Sequence, residues 1–246
     1  MIKKAIILAA GLGRRLLPIT ENKPKPMVSV VDKPIIEYVI DALKKAGLAH
    51  LIIVIGHKYK QLCNSLGNGS RFGIEIQYSL NHDFYNGNAT SLNAGKEFVK
   101  DDELFLLLMA DHLIDSAIIR KALINSDHAP LLCVDKNPHY PPQVDDATKV
   151  LMNSESFIKD IGKNILFWNA IDTGVFILNS KIFQIIENME ISCANFPLTL
   201  SRCLKQMISK GNPLWACDVS GCFWLDIDTP RDLLFAEQLL MGYSSA

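Results

Sequence analysis

The chain has 246 residues, of which 49% are apolar and 21% charged, and its formal net charge is −1. That is the composition of an ordinary globular protein with enough apolar material for a sizeable core. No basic stripe of the kind a nucleic-acid backbone requires is visible, so no nucleic acid is expected as a partner; small molecules remain, including small anions held by a few local cations.

Cys63, Cys133, Cys193, Cys203, Cys217 and Cys222 form no C-x-x-C pair. Neither a zinc site nor a disulfide scaffold is expected from them, and reduced thiols fit a cytoplasmic protein. The apolar run Ala5 to Ala10 is too short for a leader and passes straight into a glycine loop. Leu104 to Ala110, the longest other run, is strand-length and far short of a bilayer span. A soluble, unprocessed chain without membrane insertion is therefore expected.

In chain order, Lys3 to Ala10 is a β-branched and aliphatic run that stops at a glycine loop, as a buried parallel strand does. Ile35 to Ala46 has helical periodicity, with Gly47 as its stop. Leu51 to Ile55 reads as a strand, Lys58 to Leu66 as a short helix, Ile74 to Ser79 as a strand, Ser91 to Val99 as a helix and Leu104 to Ala110 as a third apolar strand. Strands alternating with helices predict a parallel sheet covered on both faces, with ligands at the carboxyl ends of its strands.

The second half is less regular. His139 to Asp146, beside Pro138 and containing Pro141 and Pro142, reads as a loop. Thr148 to Met152 and Phe157 to Ile161 read as a hairpin, and Ala170 to Leu178 as a strand. Ser180 to Asn188 and Leu198 to Lys210 read as helices, Trp215 to Val219 and Cys222 to Leu225 as strands. Pro230 to Met241 is a final helix, with Thr229 and Pro230 as N-cap and first helical residue. The expected architecture is a three-layer α/β/α, Rossmann-like single domain over residues 1–246 with a mixed, mostly parallel sheet. Its first half runs to about residue 115, and the remainder is an inserted or appended, substrate-facing half.

The strongest motif is Gly11-Leu12-Gly13-Arg14-Arg15-Leu16-Leu17-Pro18-Ile19-Thr20, followed by Lys23-Pro24-Lys25-Pro26-Met27. Small residues (Ala9, Ala10, Gly11, Gly13) let backbone N–H groups approach an anion, and Arg15 and Lys25 can neutralise phosphate. Leu16 stands where a dinucleotide fingerprint needs its third glycine, and no Gly-Lys-Ser/Thr follows. A second motif ends a buried strand, Leu107-Leu108-Met109-Ala110-Asp111-His112. A carboxylate there can hold Mg2+ or equally cap the next turn. In the third, Trp224-Leu225-Asp226-Ile227-Asp228-Thr229-Pro230, two acids two residues apart share a face. Asp228 could instead cap the final helix.

These stretches resemble the sugar-phosphate nucleotidyltransferases, whose signature runs G-x-G-x-R-x-x-P-x-T and ends in P-K-P-M. Arg14 departs from the usual Thr or Ser and is expected to face solvent. Ala110-Asp111-His112, Ala147-Thr148-Lys149-Val150, Asp160-Ile161-Gly162-Lys163, Trp168-Asn169-Ala170-Ile171-Asp172-Thr173-Gly174 and Trp224-Leu225-Asp226 look like the CTP:inositol-1-phosphate cytidylyltransferases. The resemblance runs from Lys3 to Leu240.

It implies catalytic Arg15 and Lys25, and nucleotide contacts at Leu8, Ala9, Ala10, Gly11, Gly13, Asn88 and Ser91. It implies acceptor contacts at Lys149, Lys163, Asp172 and Thr173, and Mg2+ at Asp111 with Asp226, ranked above Asp228. Asn88 or Thr90 could equally cap a helix. The implied substrates are CTP and a phosphorylated polyol. The product would pass to a separate membrane transferase, and a homodimer stays open. Choline phosphate or a sugar 1-phosphate with another nucleotide remains the alternative acceptor, and a non-catalytic nucleotide-binding subunit the alternative class.

Overall fold

A computed structural model describes residues 2–138, 141–192 and 197–242. Its strands are β1 (Lys4–Ala9), β2 (Ser29–Val30), β3 (Lys33–Pro34), β4 (His50–Ile55), β5 (Glu75–Leu80), β6 (Leu104–Met109), β7 (His112–Ile114), β8 (Leu131–Asp135), β9 (Lys149–Met152), β10 (Ile158–Gly162), β11 (Ala170–Asn179), β12 (Trp215–Asp218) and β13 (Trp224–Asp226). Its α-helices are α1 (Ile35–Lys45), α2 (Tyr59–Leu66), α3 (Asn88–Ala94), α4 (Ser116–Ile124), α5 (Pro141–Asp146), α6 (Lys181–Ser192), α7 (Leu200–Ser209) and α8 (Pro230–Leu240).

One nine-stranded sheet runs β10-β9-β11-β6-β1-β4-β5, with β8 also on β11 and β12 on β8. Strands β1, β4, β5 and β6 are mutually parallel, and β11 reverses against β6. Because β8 and β9 run antiparallel to β11 and β12 parallel to β8, only β10 and β11 oppose the rest. The mixed, mostly parallel sheet is as expected.

Alternate side chains leave opposite faces of each strand, and both faces are apolar. Ala5, Ile7, Leu51, Ile53, Leu106 and Leu108 pack with Ile36, Val39, Ile40 and Leu43 of α1 and Ile118 and Ile119 of α4. Ile6, Leu8, Ile52, Val54, Phe105 and Leu107 pack on the other face with Ala89 and Leu92 of α3, Phe183 of α6 and Leu204 of α7. The result is three layers, α/β/α. A smaller cluster seats α8 on Leu16, Val28, Ile35, Leu113 and Leu225.

Helix boundaries follow local chemistry. α1 ends at Lys45, with Gly47 next but one at φ +87°. α8 starts where expected: Thr229 Oγ1 accepts from Asp232 N–H, and Asp232 reciprocates as a capping box, with Pro230 in the first turn. Asp228 is therefore not its cap.

The expectation of a loop over 139–146 is corrected: Pro141–Asp146 is a helical turn. Two prolines in a first turn lose no intrahelical donor, so they are compatible with helix there. Residues 139–140, and Cys193, lie outside the described residues. Elements β7, α4 and β8 fall in 112–137, a stretch for which no element is predicted from sequence. There Asp115 caps α4 by accepting from Ala117 N–H at 2.9 Å. Ser91–Val99 divides at Gly95 into the end of α3 and a 3-10 turn.

One buried hydrogen bond ties the short β7–β13 ribbon to the main sheet. Trp224 Nε1 donates to Asp135 Oδ2 at 2.9 Å, and Asn137 N–H donates to Asp135 Oδ1 at 2.9 Å. Asp135 is only 2% exposed. Trp224→Phe removes a donor from a buried acceptor and should lower unfolding free energy by about 2–3 kcal/mol in urea denaturation. A loss under roughly 0.5 kcal/mol, the level of ordinary surface changes, would show that this bond does not anchor the ribbon.

Candidate active site

Strand β1 delivers the glycine loop and β6 delivers Asp111 at the same edge of the sheet; Ala110 N–H donates to Leu8 O at 3.1 Å. The loop is held by its own signature. Gly13 has φ +63°, and a Cβ built there would lie 2.9 Å from Lys25 Cβ. Thr20 Oγ1 donates back to Gly13 O at 2.8 Å, and Lys58 Nζ donates to Thr20 O at 2.8 Å. Gly13 and Thr20 thus shape the loop and let Lys25 in. Gly11 differs: a Cβ there would meet no protein atom within 4 Å. Arg14 is exposed, as expected.

Lys25 is 8% exposed and its ammonium sits among three carboxylates. Nζ donates to Asp111 Oδ2 and to Asp228 Oδ1, both at 2.6 Å, and lies 3.9 Å from Asp226 Oδ1. Burial opposes its charge, but the three acids overcome that and raise its pKa. His112 Nδ1 is 2.8 Å from Asp111 Oδ1 and 3.8 Å from Asp226 Oδ1. Burial works against the imidazolium too, yet Asp226 and Asp111 push its pKa up to about 9. Burial also drives Asp111 toward protonation, but Lys25 and His112 hold it well below the usual carboxylate range. Asp226 goes the other way: burial, with Asp111 and Asp228, pushes it up to about 7.

Asp226 and Asp228 are thereby distinguished. Both oxygens of Asp228 are engaged by cations, Oδ1 by Lys25 and Oδ2 by Arg15. Asp226 Oδ1 is buried with no hydrogen-bond partner. Donor atoms of Asp111, His112 and Asp226 lie within 4.8 Å of one another, close enough to share a metal ion. The backbone fixes this: Ile227 N–H donates to Asp111 O at 3.0 Å, and Trp224 stacks on His112. Gly174, at φ +77°, leaves room for that ring; a Cβ there would approach His112 Nε2 to 2.7 Å.

A cavity of about 650 Å3 opens over this cluster, within the range of small-molecule sites. Leu8, Ala9, Ala10, Gly11, Arg15, Lys25, Asn88, Ser91, Asp111, Lys163, Asp172, Asp226 and Asp228 all line it. Gly13, Lys149 and Thr173 stand outside its lining. Lys149 Nζ donates to the carbonyls of Asp145 and Ala147, and the buried Thr173 hydroxyl donates to Cys133 O at 2.9 Å. Asn88 Oδ1 accepts from Leu200 N–H at 2.8 Å, and Ser91 Oγ accepts from Asn81 Nδ2 at 3.0 Å. The N-cap of α3 is Gly87, so neither Asn88 nor Thr90 caps it.

Sequence reasoning assigned no role to several lining residues: His112, Phe84, Tyr85, Asp146 and Arg231. His112 follows directly on Asp111, and Phe84-Tyr85 precede the Asn86-Gly87-Asn88 loop, which were the only signals. Asp146 is paired with Arg15 and, at 2.7 Å, with Lys163.

Residues 4–137, over half the chain, match the nucleotidyl transferase family. A bifunctional IPC transferase and DIPP synthase of Aquifex aeolicus is 31% identical over 241 residues, 98% of this chain and 52% of that protein. A low-salt glycan biosynthesis nucleotidyltransferase of Haloferax volcanii is 28% identical over 245 residues, 97% of this chain and 66% of that protein. The chain spans about half the length of the first curated relatives it matches. The structure of the inositol-1-phosphate CTP transferase from T. maritima superposes with a TM-score of 0.84 at 25% identity, over 99% of this chain and 98% of that one. UDP-glucose pyrophosphorylase complexed with UDP-glucose has the same fold, with a TM-score of 0.83 at 21% identity over 99% and 100%. The fold agrees with these matches, and the chain belongs to the nucleotidyl transferase family as a nucleotidyltransferase enzyme.

Proposed function

We propose that this chain transfers a cytidylyl group from CTP to inositol 1-phosphate, giving CDP-inositol and pyrophosphate. The observation that carries the reaction class is the convergence of the glycine loop, two cations and an acid cluster on one cavity. The choice of CTP and inositol 1-phosphate rests on the likeness to the T. maritima inositol-1-phosphate CTP transferase and to the bifunctional relatives.

An oxygen of the acceptor phosphate attacks the α-phosphorus of CTP. The new P–O bond forms as the bond to the β-phosphate bridging oxygen breaks, and pyrophosphate leaves with the electron pair. The acceptor is already ionised at neutral pH, so no strong base is needed. The protein's contribution is positioning and charge neutralisation. Backbone around Gly11 approaches the nucleotide phosphates, with Asn88 and Ser91 on the base side. Arg15 and Lys25 offset charge building on pyrophosphate, while Lys163 and Asp172 face the acceptor. Lys149 and Thr173 take part by fixing the strand ends beside it.

The unpartnered Asp226 Oδ1 and the crowded acids fit a divalent cation. Asp111 and Asp226 would hold Mg2+, which when bound supplies charge neutralisation at the α-phosphate. A hard ion favours the two carboxylates, so His112 orients Asp111.

Among the described residues no helix is long and apolar enough to cross a membrane, which is compatible with the cytoplasmic location we propose. A CDP-polyol is an activated donor, so a transferase that consumes it is the expected partner.

The test is pyrophosphate release with Mg2+ across five nucleoside triphosphates and four acceptors: inositol 1-phosphate, choline phosphate, glucose 1-phosphate and mannose 1-phosphate. Release with CTP and inositol 1-phosphate alone is expected; release with a different pair replaces the substrates and leaves the chemistry.

Lys25→Ala should cut turnover roughly 100- to 1,000-fold, the scale of losing one transition-state donor. It also leaves three acids facing one another, so its melting temperature should rise more with Mg2+ than the wild-type value does. Near-normal turnover, or no Mg2+ response, would overturn the assigned role. Asp111→Asn should abolish Mg2+-dependent turnover, and activity at ordinary Mg2+ would refute it.

Burial pushes the Asp172 carboxyl up to about 6, against a hydrogen bond from Gly174 N–H. A raised carboxyl pKa means the folded state holds its proton longer than the unfolded chain. Its contribution to stability is therefore greatest below the unfolded value near 4 and falls as pH rises through about 6. Asp172→Asn removes this penalty. It should be about 1–2 kcal/mol more stable than wild type at pH 7.5, after allowance for solvent screening, with the gap closing toward pH 4. A gap that widens on acidification would contradict the assignment.

A further inference from the structure

Among the described residues, Asp146 is the one lining carboxylate that joins cations from both halves of the chain. Arg15 Nη1 donates to its Oδ2 and Lys163 Nζ donates to its Oδ1 at 2.7 Å. All three side chains are about half exposed. Ion pairs at that exposure add little stability, so folding alone does not account for the arrangement. Its geometry is informative: two cations separated by 148 positions in sequence (15 and 163) converge on one two-oxygen anion at the cavity wall. That is how a phosphate is gripped. Arg15 is tied separately to Asp228, itself held by Lys25, so losing Asp146 would leave the guanidinium near the centre.

We propose that Asp146 is an internal anion that occupies Arg15 and Lys163 until substrate phosphates displace it, the polyphosphate taking Arg15 and the acceptor phosphate taking Lys163, so that it sets the affinity of the site for polyphosphate. The inference rests on the nucleotidyl transfer reading, since it needs both cations to meet phosphate. Asp146 is a positioning residue: it touches no reacting atom.

The test is calorimetric binding of inorganic pyrophosphate with Mg2+ present, alongside KM and kcat. D146N keeps size and removes the competing charge. It should bind pyrophosphate roughly two- to tenfold more tightly, as expected for releasing two half-exposed ion pairs, and lower KM for the triphosphate without raising kcat. D146S, which also lacks the charge, should tighten binding likewise, and D146E should stay within about twofold of wild type. In an R15M background the D146N gain in pyrophosphate binding should shrink, because the arm that meets pyrophosphate is already gone. Unchanged or weaker pyrophosphate binding in D146N and D146S, at unchanged melting temperature, overturns the proposal even if wild-type turnover is normal. Wild type that neither turns over nor binds pyrophosphate overturns the transferase reading first, and this proposal with it.

Discussion

A single buried ammonium organises this protein. Lys25 reaches carboxylates that lie 86 and 203 positions further along the chain, both at 2.6 Å, with Asp226 beside them. One ammonium, through two ion pairs, therefore joins the signature loop, the end of β6 and the turn into α8. A lysine so enclosed is tolerated only because its charge is matched; removing one side of a buried pair typically costs about 3–5 kcal/mol. The approach needs Gly13, whose missing side chain is where Lys25 Cβ packs. The glycine signature is thus as much about seating a lysine as about meeting a ligand.

The same constraint explains how acids can line a site for anions. Asp111 and Asp228 are neutralised by Lys25, with His112 and Arg15 adding to the balance. Asp226 carries the residual mismatch, its carboxyl pushed up to about 7 and one oxygen without a partner. On the proposed function, an arrangement this nearly balanced would accept one further divalent cation together with polyphosphate, whereas either alone would upset it. Asp146 extends the pattern to the cavity wall, where one acid stands against Arg15 and Lys163.

Much of this was legible in the sequence because β1, β4 and β6 are continuous apolar runs, with the Gly-x-Gly and Ala-Asp-His stretches directly after β1 and β6. The α8 cap was readable from Thr229 and Pro230, since capping is local chemistry; the reciprocal bond from Asp232 came only with the structure. What escaped depends on contacts between distant residues. Thr173 looks like a polar site residue, but β11 turns its hydroxyl to Cys133. Lys149 is spent on nearby carbonyls. Asp146 looked like part of a proline-rich loop, and its tie to Arg15 spans 131 positions. His112 carried a motif without a role until Gly174 and Trp224 were seen to fix its ring.

In the proposed site, Asp111 and Asp226 would form the cation site while Asp228 belongs to Lys25 and Arg15. Electron paramagnetic resonance titration of Mn2+ in the presence of CTP reads this directly in wild type, Asp226→Asn and Asp228→Asn. One Mn2+ is expected in wild type, with affinity at least about tenfold weaker in Asp226→Asn, the scale at which metal-site changes are felt, and near-wild-type binding in Asp228→Asn. Loss of Mn2+ in Asp228→Asn with retention in Asp226→Asn would contradict it.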